Sequence, residues 1–345
     1  MDLSTPSDLD GLRDTIVAAD TVHPTGAGTH AEVGGTPRGG RAVRVPAGVV
    51  AHDPGDLTVT VRAGTPVRDL DALLAEHGQM CALDPTDGSA TVGGVLATGL
   101  SGWRRLRYGP VRDQVLEVRF VTADGTLVKG GGPTVKNVSG FDLPRLLVGS
   151  LGTLGVIVQA TLRARPRPRG TAWATADGPP SGILARLHRP SCVTWDGSKV
   201  NVLAEGHPAD VEAELAAAGL TAAAGGPARP AGEHRGRISV RPRLVEPVAA
   251  ELRRAGIAFL AEVGVGTIDV AGDDPSALVA ARAVAEAHGG RLLRVAGAPG
   301  LDAFGTPPPG VEVMRRIKAA FDPDGRMAPG RMPFVEAAPA GAVAR

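Results

Sequence analysis

Three glycine-bearing segments are the residues of this chain best suited to chemistry. The first is Gly26-Ala27-Gly28-Thr29-His30, the second runs from Gly93 to Gly109 (GGVLATGLSGWRRLRYG), and the third from Gly149 to Ile157 (GSLGTLGVI). Glycine permits positive φ and lets a ligand approach the backbone closely. Successive exposed amide N–H groups form a nest for anions. Segments so far apart in sequence are expected to line one cleft that holds one large phosphate-bearing cofactor. In a chain with 48 glycines, tight packing or bulges are the competing reading of any single segment. Gly26 to Ala31 formally matches G-x-G-x-x-A, but that fingerprint needs a helix at its end. Glu32 to Gly40 (EVGGTPRGG) cannot hold one. A P-loop is excluded because GxxxxGK[ST] does not occur.

Composition bounds the class. The 345 residues suggest two domains with a substantial core. A formal net charge of +1 and 3% aromatic residues argue against a nucleic-acid partner. Cys81 and Cys192 have no CxxC spacing, so neither a metal site nor an iron–sulfur cluster is expected, and a reducing cytoplasmic setting fits. The N-terminus lacks a signal-like pattern, and no apolar run approaches membrane-spanning length. Membrane association is expected to be peripheral at the inner face, through partners.

The positioning elements follow from periodicity. Residues 1–20 are expected to form a helix, with strands over 21–25, 43–46 and 57–63. Thr65-Pro66 opens a helix whose stripe is Val67, Leu70, Leu73 and Leu74, and Gly78 closes it. Strands over 115–122 and 126–129 flank an Asp124-Gly125 turn. A helix over 143–148 and a strand over 156–163 follow. The prolines of Arg165 to Arg169 (RPRPR) exclude ladder bonding and mark a boundary. Beyond it the Ala-rich sequence suggests helices over 210–218, 246–255, 275–288 and 311–321, with strands over 258–270 and 291–295. The expected domains are 1–168 and 169–335, with a disordered tail over 336–345.

Taken in order, GAGTH, HDPGDLTVTVRAGTPVRDLDALLAEHGQ, TVGGVLATGLSGWRRLRYGPVRDQVLEVRFVTADG, KNVSGFDLPRLLVGSLGTLGVI and the late FDPDGRMAPGRM resemble the FAD-binding domain of vanillyl-alcohol-oxidase-type (PCMH-type) flavoproteins. Within that family the likeness is nearest to the smaller flavin subunits of glycolate-oxidase-type complexes. The resemblance implies an α+β fold, with a PCMH-type FAD-binding domain of two α/β lobes and a smaller α+β cap. It implies that Gly26, Ala27, Gly28, Thr29 and His30 form the first pyrophosphate loop and Thr91, Gly93 and Gly94 the second. Thr98 and Gly102 would lie near the ribityl chain and flavin ring, and Pro85 beside the flavin or adenine. Gly152, Gly155, Val156 and Ile157 would present backbone to the adenosine or ribityl portion, with Arg331 near the cofactor.

Departures from the family pattern shape the expected function. Thr29 stands where some relatives carry a His that bonds FAD covalently, so the FAD is expected to be non-covalent. Leu151 replaces a Glu, and Ala328 replaces an Asn. The His-rich HxxxGDGNxH segment of D-2-hydroxy-acid dehydrogenases has no counterpart near Leu293 to Phe304, and no catalytic residue is legible. The Arg104-Arg105-Leu106-Arg107 turn could hold a carboxylate or face a partner. The expectation is an FAD-binding oxidoreductase subunit of a glycolate-oxidase-type complex, taking part in electron transfer from 2-hydroxy-acid oxidation. Its partners would be a homologous large flavin subunit and an iron–sulfur subunit, with a small 2-hydroxy acid as the substrate of the complex. The rival readings are a self-sufficient FAD-dependent 2-hydroxy-acid or alcohol dehydrogenase, and a structural partner with a degenerate flavin site.

Overall fold

The computed structural model of the chain describes residues 7–132 and 141–336. The first part begins with α1 (Ser7–Ala18), then β1 (Val22–Pro24) paired in parallel with β2 (Arg41–Val43). The strand expected over 43–46 therefore lies two residues earlier. Next come β3 (Val49–Asp53), β4 (Thr58–Arg62), α2 (Val67–Glu76), β5 (Gln79–Met80), α3 (Val92–Thr98) and α4 (Arg105–Tyr108). Then follow β6 (Val115–Val121), β7 (Leu127–Gly131), α5 (Leu143–Leu147), β8 (Val156–Arg163) and β9 (Arg165–Pro166). Five strands form an antiparallel sheet in the order β3-β4-β8-β6-β7.

Strand β8 is buried on both faces, which suits its run VIVQATLR. Ile157, Ala160 and Leu162 pack with Leu70 and Leu74 of α2 and with Val95 and Leu96 of α3. Val156 and Val158 pack with Ile16 of α1, Val22 and Met327. Thr65 does not cap α2. Its hydroxyl instead accepts from Gly48 N at 2.9 Å and donates to Gly48 O at 3.1 Å, and Pro66 holds the N-cap position.

The small sheet ends at Arg163, and a larger sheet begins at Gly170. Its elements are β10 (Gly170–Asp177), β11 (Cys192–Trp195), β12 (Lys199–Gly206), α6 (Pro208–Ala217), β13 (Thr221–Ala223) and β14 (His234–Ser239). After these come α7 (Val245–Arg254), β15 (Ala258–Glu262), β16 (Thr267–Gly272), α8 (Ser276–Ala287) and β17 (Arg291–Ala296). The order β13-β10-β12-β11-β15-β16-β14-β17 makes an eight-stranded sheet, so the cap holds the larger of the two sheets. One face carries Val193, Val202, Ile238 and Ile268 against Val211 of α6, Leu252 of α7 and Ala281 of α8. Strand alternation sends Glu205, Arg235, Arg237, Glu262 and Asp269 to the other face.

RPRPR is not free of ladder bonding. Strand β9 pairs with β5, Ala164 N donates to Leu57 O at 2.7 Å, and Arg167 N donates to Gly78 O at 2.8 Å. Proline lacks only its own N–H, so the residues between prolines still pair. Of the tail expected from 336, Glu336 is ordered, ion-paired to Arg38 and accepting from Gly330 N. The remainder, 337–345, lies outside the described residues, as does the KNVSG stretch before Phe141.

Helix α9 (Val311–Phe321) brings the chain back to the first part, where Ile317 and Phe321 join its core. Lys318 is buried and ion-paired with buried Asp322; its ammonium also donates to Thr153 O at 2.8 Å and Met327 O at 3.0 Å. Asp322 accepts from Arg326 N at 2.9 Å and Met327 N at 2.8 Å. Removing one partner of a buried pair strands the other charge. Asp322→Ala is expected to lower unfolding free energy by about 3–5 kcal/mol. Urea unfolding measures it, and a loss below about 1 kcal/mol, the range of an exposed pair, would show that the pair fastens nothing.

Candidate functional site

Three adjoining cavities run from the first part to the cap. The smallest, about 60 Å³, is lined by Gly26, Thr91, Gly93, Gly94, Gly152, Gly155, Val156 and Ile157. The next, about 170 Å³, shares Gly26, Thr91, Gly94 and Gly152 and adds Ala27, Gly28, Thr29, His30, Thr98 and Arg331. The largest, about 420 Å³, shares Gly28 to His30 and is closed by Pro85 and the polar face of the cap sheet. The structure thus gathers fifteen of the sixteen expected residues around one cleft. Gly102 is the exception: a Cβ there would lie 1.7 Å from Asp84 O, so its role is close packing of two loops.

The glycines do different jobs. The amides of Gly26, Ala27, Gly28, Thr29 and His30 have no protein acceptor among the described residues. Such a run of free amides is available to an anion. The amides at the start of α3 are already used: Val92 N donates to Thr65 O, Gly93 N to Ala63 O and Gly94 N to the Thr91 hydroxyl. In the third segment Gly149 N donates to Leu96 O and Leu151 N to Ala97 O. The start of α3 therefore has its first amides committed within the protein, as the third segment does at Gly149 and Leu151.

The direction of an added Cβ sorts them further. At Gly28, with φ +85°, it would meet no protein atom within 4 Å; at Gly94 only the Thr91 hydroxyl, at 3.2 Å. At Gly93 it would press on Ala63, at Gly152 on Pro24, and at Gly155 on Phe120 and Val121 O, both at 2.8 Å. Gly28 and Gly94 face the cleft, while Gly155 holds the third segment against β6. Leu151 and Ala328, the residues that depart from the family pattern, both have positive φ, 52° and 45°. That backbone is one asparagine tolerates better than alanine.

Charged groups cluster at the cap end. Arg237 Nε donates to Asp269 Oδ1 at 2.7 Å, and its guanidinium reaches Ser101 O of the first part at 2.9 Å. Arg229 pairs with the same Asp269 and lies 3.9 Å over the Trp103 ring. Burial opposes charge at Arg237, but Asp269 and Glu262 outweigh it and raise its pKa. Burial also works against the Asp269 carboxylate, yet the two arginines pull its pKa down. At Glu262 burial wins and the pKa rises. Arg235 is exposed on the cavity and has no carboxylate partner among the described residues. Burial, with the Arg237 charge adding to it, pushes His30 below the ordinary imidazole value, against a weaker pull from Asp87. Its Nδ1 is 3.0 Å from the Thr29 hydroxyl. Arg331 donates to Ala31 O, and burial then Arg294 lower its pKa.

The basic turn is engaged within the chain. Arg104 pairs with Asp84 at 2.9 Å and with Glu205 of β12 at 2.9 Å, Arg107 donates to Glu205 O, and Leu106 packs against the cap core. It is a latch between the parts, because a buried Glu205 carboxylate must be paired. The residues that sequence reasoning missed are Arg229, Arg235, Arg237 and Asp269. The HRGRIS alternation was the available signal for two of them, with arginines at every second position of a strand.

Residues 4–131 match the family model described as FAD binding domain, and residues 306–332 that of FAD linked oxidases, C-terminal domain. The chain is similar to glycolate oxidase subunit GlcE of Escherichia coli (strain K12), 44% identical over 131 residues, 37% of each chain. It is 40% identical over 126 residues to D-lactate dehydrogenase [cytochrome] 1, mitochondrial, of Saccharomyces cerevisiae, covering 36% of this chain and 21% of that one. It is 40% identical over 145 residues to D-lactate dehydrogenase of Archaeoglobus fulgidus, covering 39% and 33%. The matched stretches thus span little more than a third of these relatives at most. Among solved structures, an alkyldihydroxyacetonephosphate synthase superposes with a TM-score of 0.62 at 15% identity, covering 90% of this chain and 71% of that one. The chain accordingly shares the fold of that synthase, mixed α and β with several sheets. No helix among the described residues is long and apolar enough to cross a membrane.

Two outcomes test the site. Gly94→Val is expected to empty the protein of flavin while leaving apo-protein melting nearly unchanged, whereas Gly155→Val loses both; equal melting losses in the two would make Gly94 a packing residue. The second concerns pH. Because the His30 pKa is lowered in the folded state, the unfolded chain binds more protons as pH falls below the ordinary imidazole value. Apo-protein stability should decline there, and His30→Gln should flatten that decline. Parallel curves for the two proteins would refute it.

Proposed function

From the match of residues 4–131 to the FAD binding domain model, we propose that the chain is a non-covalent FAD-binding oxidoreductase subunit of a glycolate-oxidase-type assembly. Two domains, 1–168 and 169–335, would clasp the cofactor. The observation that carries the reading is the run of five unpartnered amides, Gly26 to His30, opening onto a cleft that continues beneath the cap. A nest of that kind suits a diphosphate. Arg331, which lines the same cavity, adds positive charge. Gly28 and Gly94 leave room for the cofactor, and the used amides of α3 and the third segment keep the wall rigid. FAD when bound supplies a two-electron acceptor. The sixteen expected residues remain the assigned site, except that Gly102 and Gly155 support it through packing.

The chain's own chemistry at the cap end is modest. Asp269 is neutralised by Arg229 and Arg237. Asp87 is held by Ser89 and tuned away from proton acceptance, the serine side-chain hydrogen bond being the main cause. Burial lowers the His30 pKa and so weakens the imidazole as a proton acceptor. With both groups weakened, the site is poorly equipped to take the hydroxyl or α proton of a 2-hydroxy acid. The role that fits is electron transfer beside a homologous large flavin subunit and an iron–sulfur subunit. The assembly would work in the cytoplasm or at the inner face of the membrane. The similarity to a glycolate oxidase subunit supports this reading.

Unpaired Arg235 favours a second reading, a self-sufficient 2-hydroxy-acid dehydrogenase in which this guanidinium holds the substrate carboxylate. One experiment separates the two. The purified chain should be yellow, and acid should release FAD into the supernatant; flavin left on the precipitated polypeptide would overturn the non-covalent assignment. Anaerobic mixing of the loaded chain with glycolate or D-lactate should bleach the flavin slowly or not at all. Bleaching at about 1 to 1,000 per second, abolished by Arg235→Ala, would replace the first reading by the second.

A further inference from the structure

A groove of about 690 Å³ lies outside the cofactor cleft, where β8 and β9 run toward the cap. Six arginines line it, Arg107, Arg163, Arg165, Arg167, Arg169 and Arg189, against a single carboxylate, Asp56. The whole chain carries a formal charge of only +1, so this concentration is local. Elsewhere in the described structure several arginines are answered by carboxylates, as Arg104 and Arg237 are. Here the side chains of Arg163, Arg167, Arg169 and Arg189 have no hydrogen bond or ion pair among the described residues, and Arg165 Nε is buried without an acceptor. Arg165 and Arg107 instead lie over the Tyr108 ring, each 5.5 Å from its centre. Arg189 is held at φ +52°, a backbone conformation that costs free energy for a side-chain-bearing residue.

Spacing says what such a surface fits. Pro166 and Pro168 keep the RPRPR segment extended, so alternate arginines recur at about 6.6 Å along it. An extended chain with an acid at every second residue repeats at the same interval. We propose that this groove docks an acidic, extended segment of a partner protein. The inference does not depend on the cofactor reading, since none of these arginines lines the flavin cleft. It also relocates the docking surface from the 104–107 turn, which the latch to Glu205 has used up, to the groove of which Arg107 forms one wall.

The test uses the full, flavin-loaded chain and a fluorescein-labelled peptide alternating Glu and Ala over ten residues or so. Fluorescence anisotropy should show saturable binding that weakens as ionic strength rises. Arg167 and Arg169 are exposed, and Arg167 uses only its backbone in the β9 pairing. The double substitution Arg167→Glu and Arg169→Glu should weaken binding about tenfold or more, with flavin content and spectrum unchanged. Arg316→Glu, an exposed site on α9 remote from the groove in sequence, should leave binding as it was. Absence of binding at low salt, or equal binding by the double variant, overturns the proposal. Tripolyphosphate binding as tightly as the peptide, with the same sensitivity to the double substitution, would make the groove a small-anion site and overturn the assignment to a protein segment.

Discussion

The buried Lys318–Asp322 pair joins segments that lie more than 160 residues apart in sequence. Lys318 reaches Thr153 in the third glycine segment and Met327 in the returning C-terminal segment, while Asp322 fixes the amides of Arg326 and Met327. The segment so fixed bonds to β1: Val22 N donates to Arg326 O, and Ala328 N to Val22 O. Just beyond, Gly35 N donates to Arg331 O and Arg38 N to Pro329 O, so the first glycine loop is held at both ends by residues from the far end of the chain. Dry, paired charges are a costly way to gain stability, but they fix register, and here register determines where the open amides point.

A second constraint is the polar face of the cap sheet. An antiparallel sheet with helices on one side must present its alternate residues to something else. In this protein several of those residues are charged, and they bond to the first part: Arg237 donates to Ser101 O and Glu205 pairs with Arg104. Outside that face, Glu32 accepts from Gly297 N and Arg294 donates to Gly34 O. The interface is therefore directional. It holds the cap over the cleft at defined points and leaves Arg235 without a carboxylate partner on the cavity of about 420 Å³.

The arginine groove and the cofactor cleft illustrate two uses of positive charge. In the cleft, backbone amides form the nest, and arginine contributes mainly Arg331 at its edge. In the groove, side chains contribute everything and the neutralising carboxylates are missing. The first arrangement is shaped for one ligand geometry, whereas the second attracts by field and spacing.

The sequence by itself determined the elements with strong local patterns. Strand β8 and helix α9 lie over 156–163 and 311–321 as their periodicity dictates, and the glycine spacing marked the loops that surround the cleft. Five cap strands, β10 to β14, were not legible, because they are short or Ala-rich and their strand state rests on pairing with neighbours. Tertiary structure alone decided which glycines face a ligand. Gly94 and Gly155 look alike in sequence, yet one points into the cleft and the other onto Phe120. It also decided that the amides of Gly26 to His30 are open while those of Gly93, Gly94 and Leu151 are used, and that the 104–107 turn is a latch. Each depends on acceptors and charges supplied by residues distant in the chain, and local sequence holds no record of them.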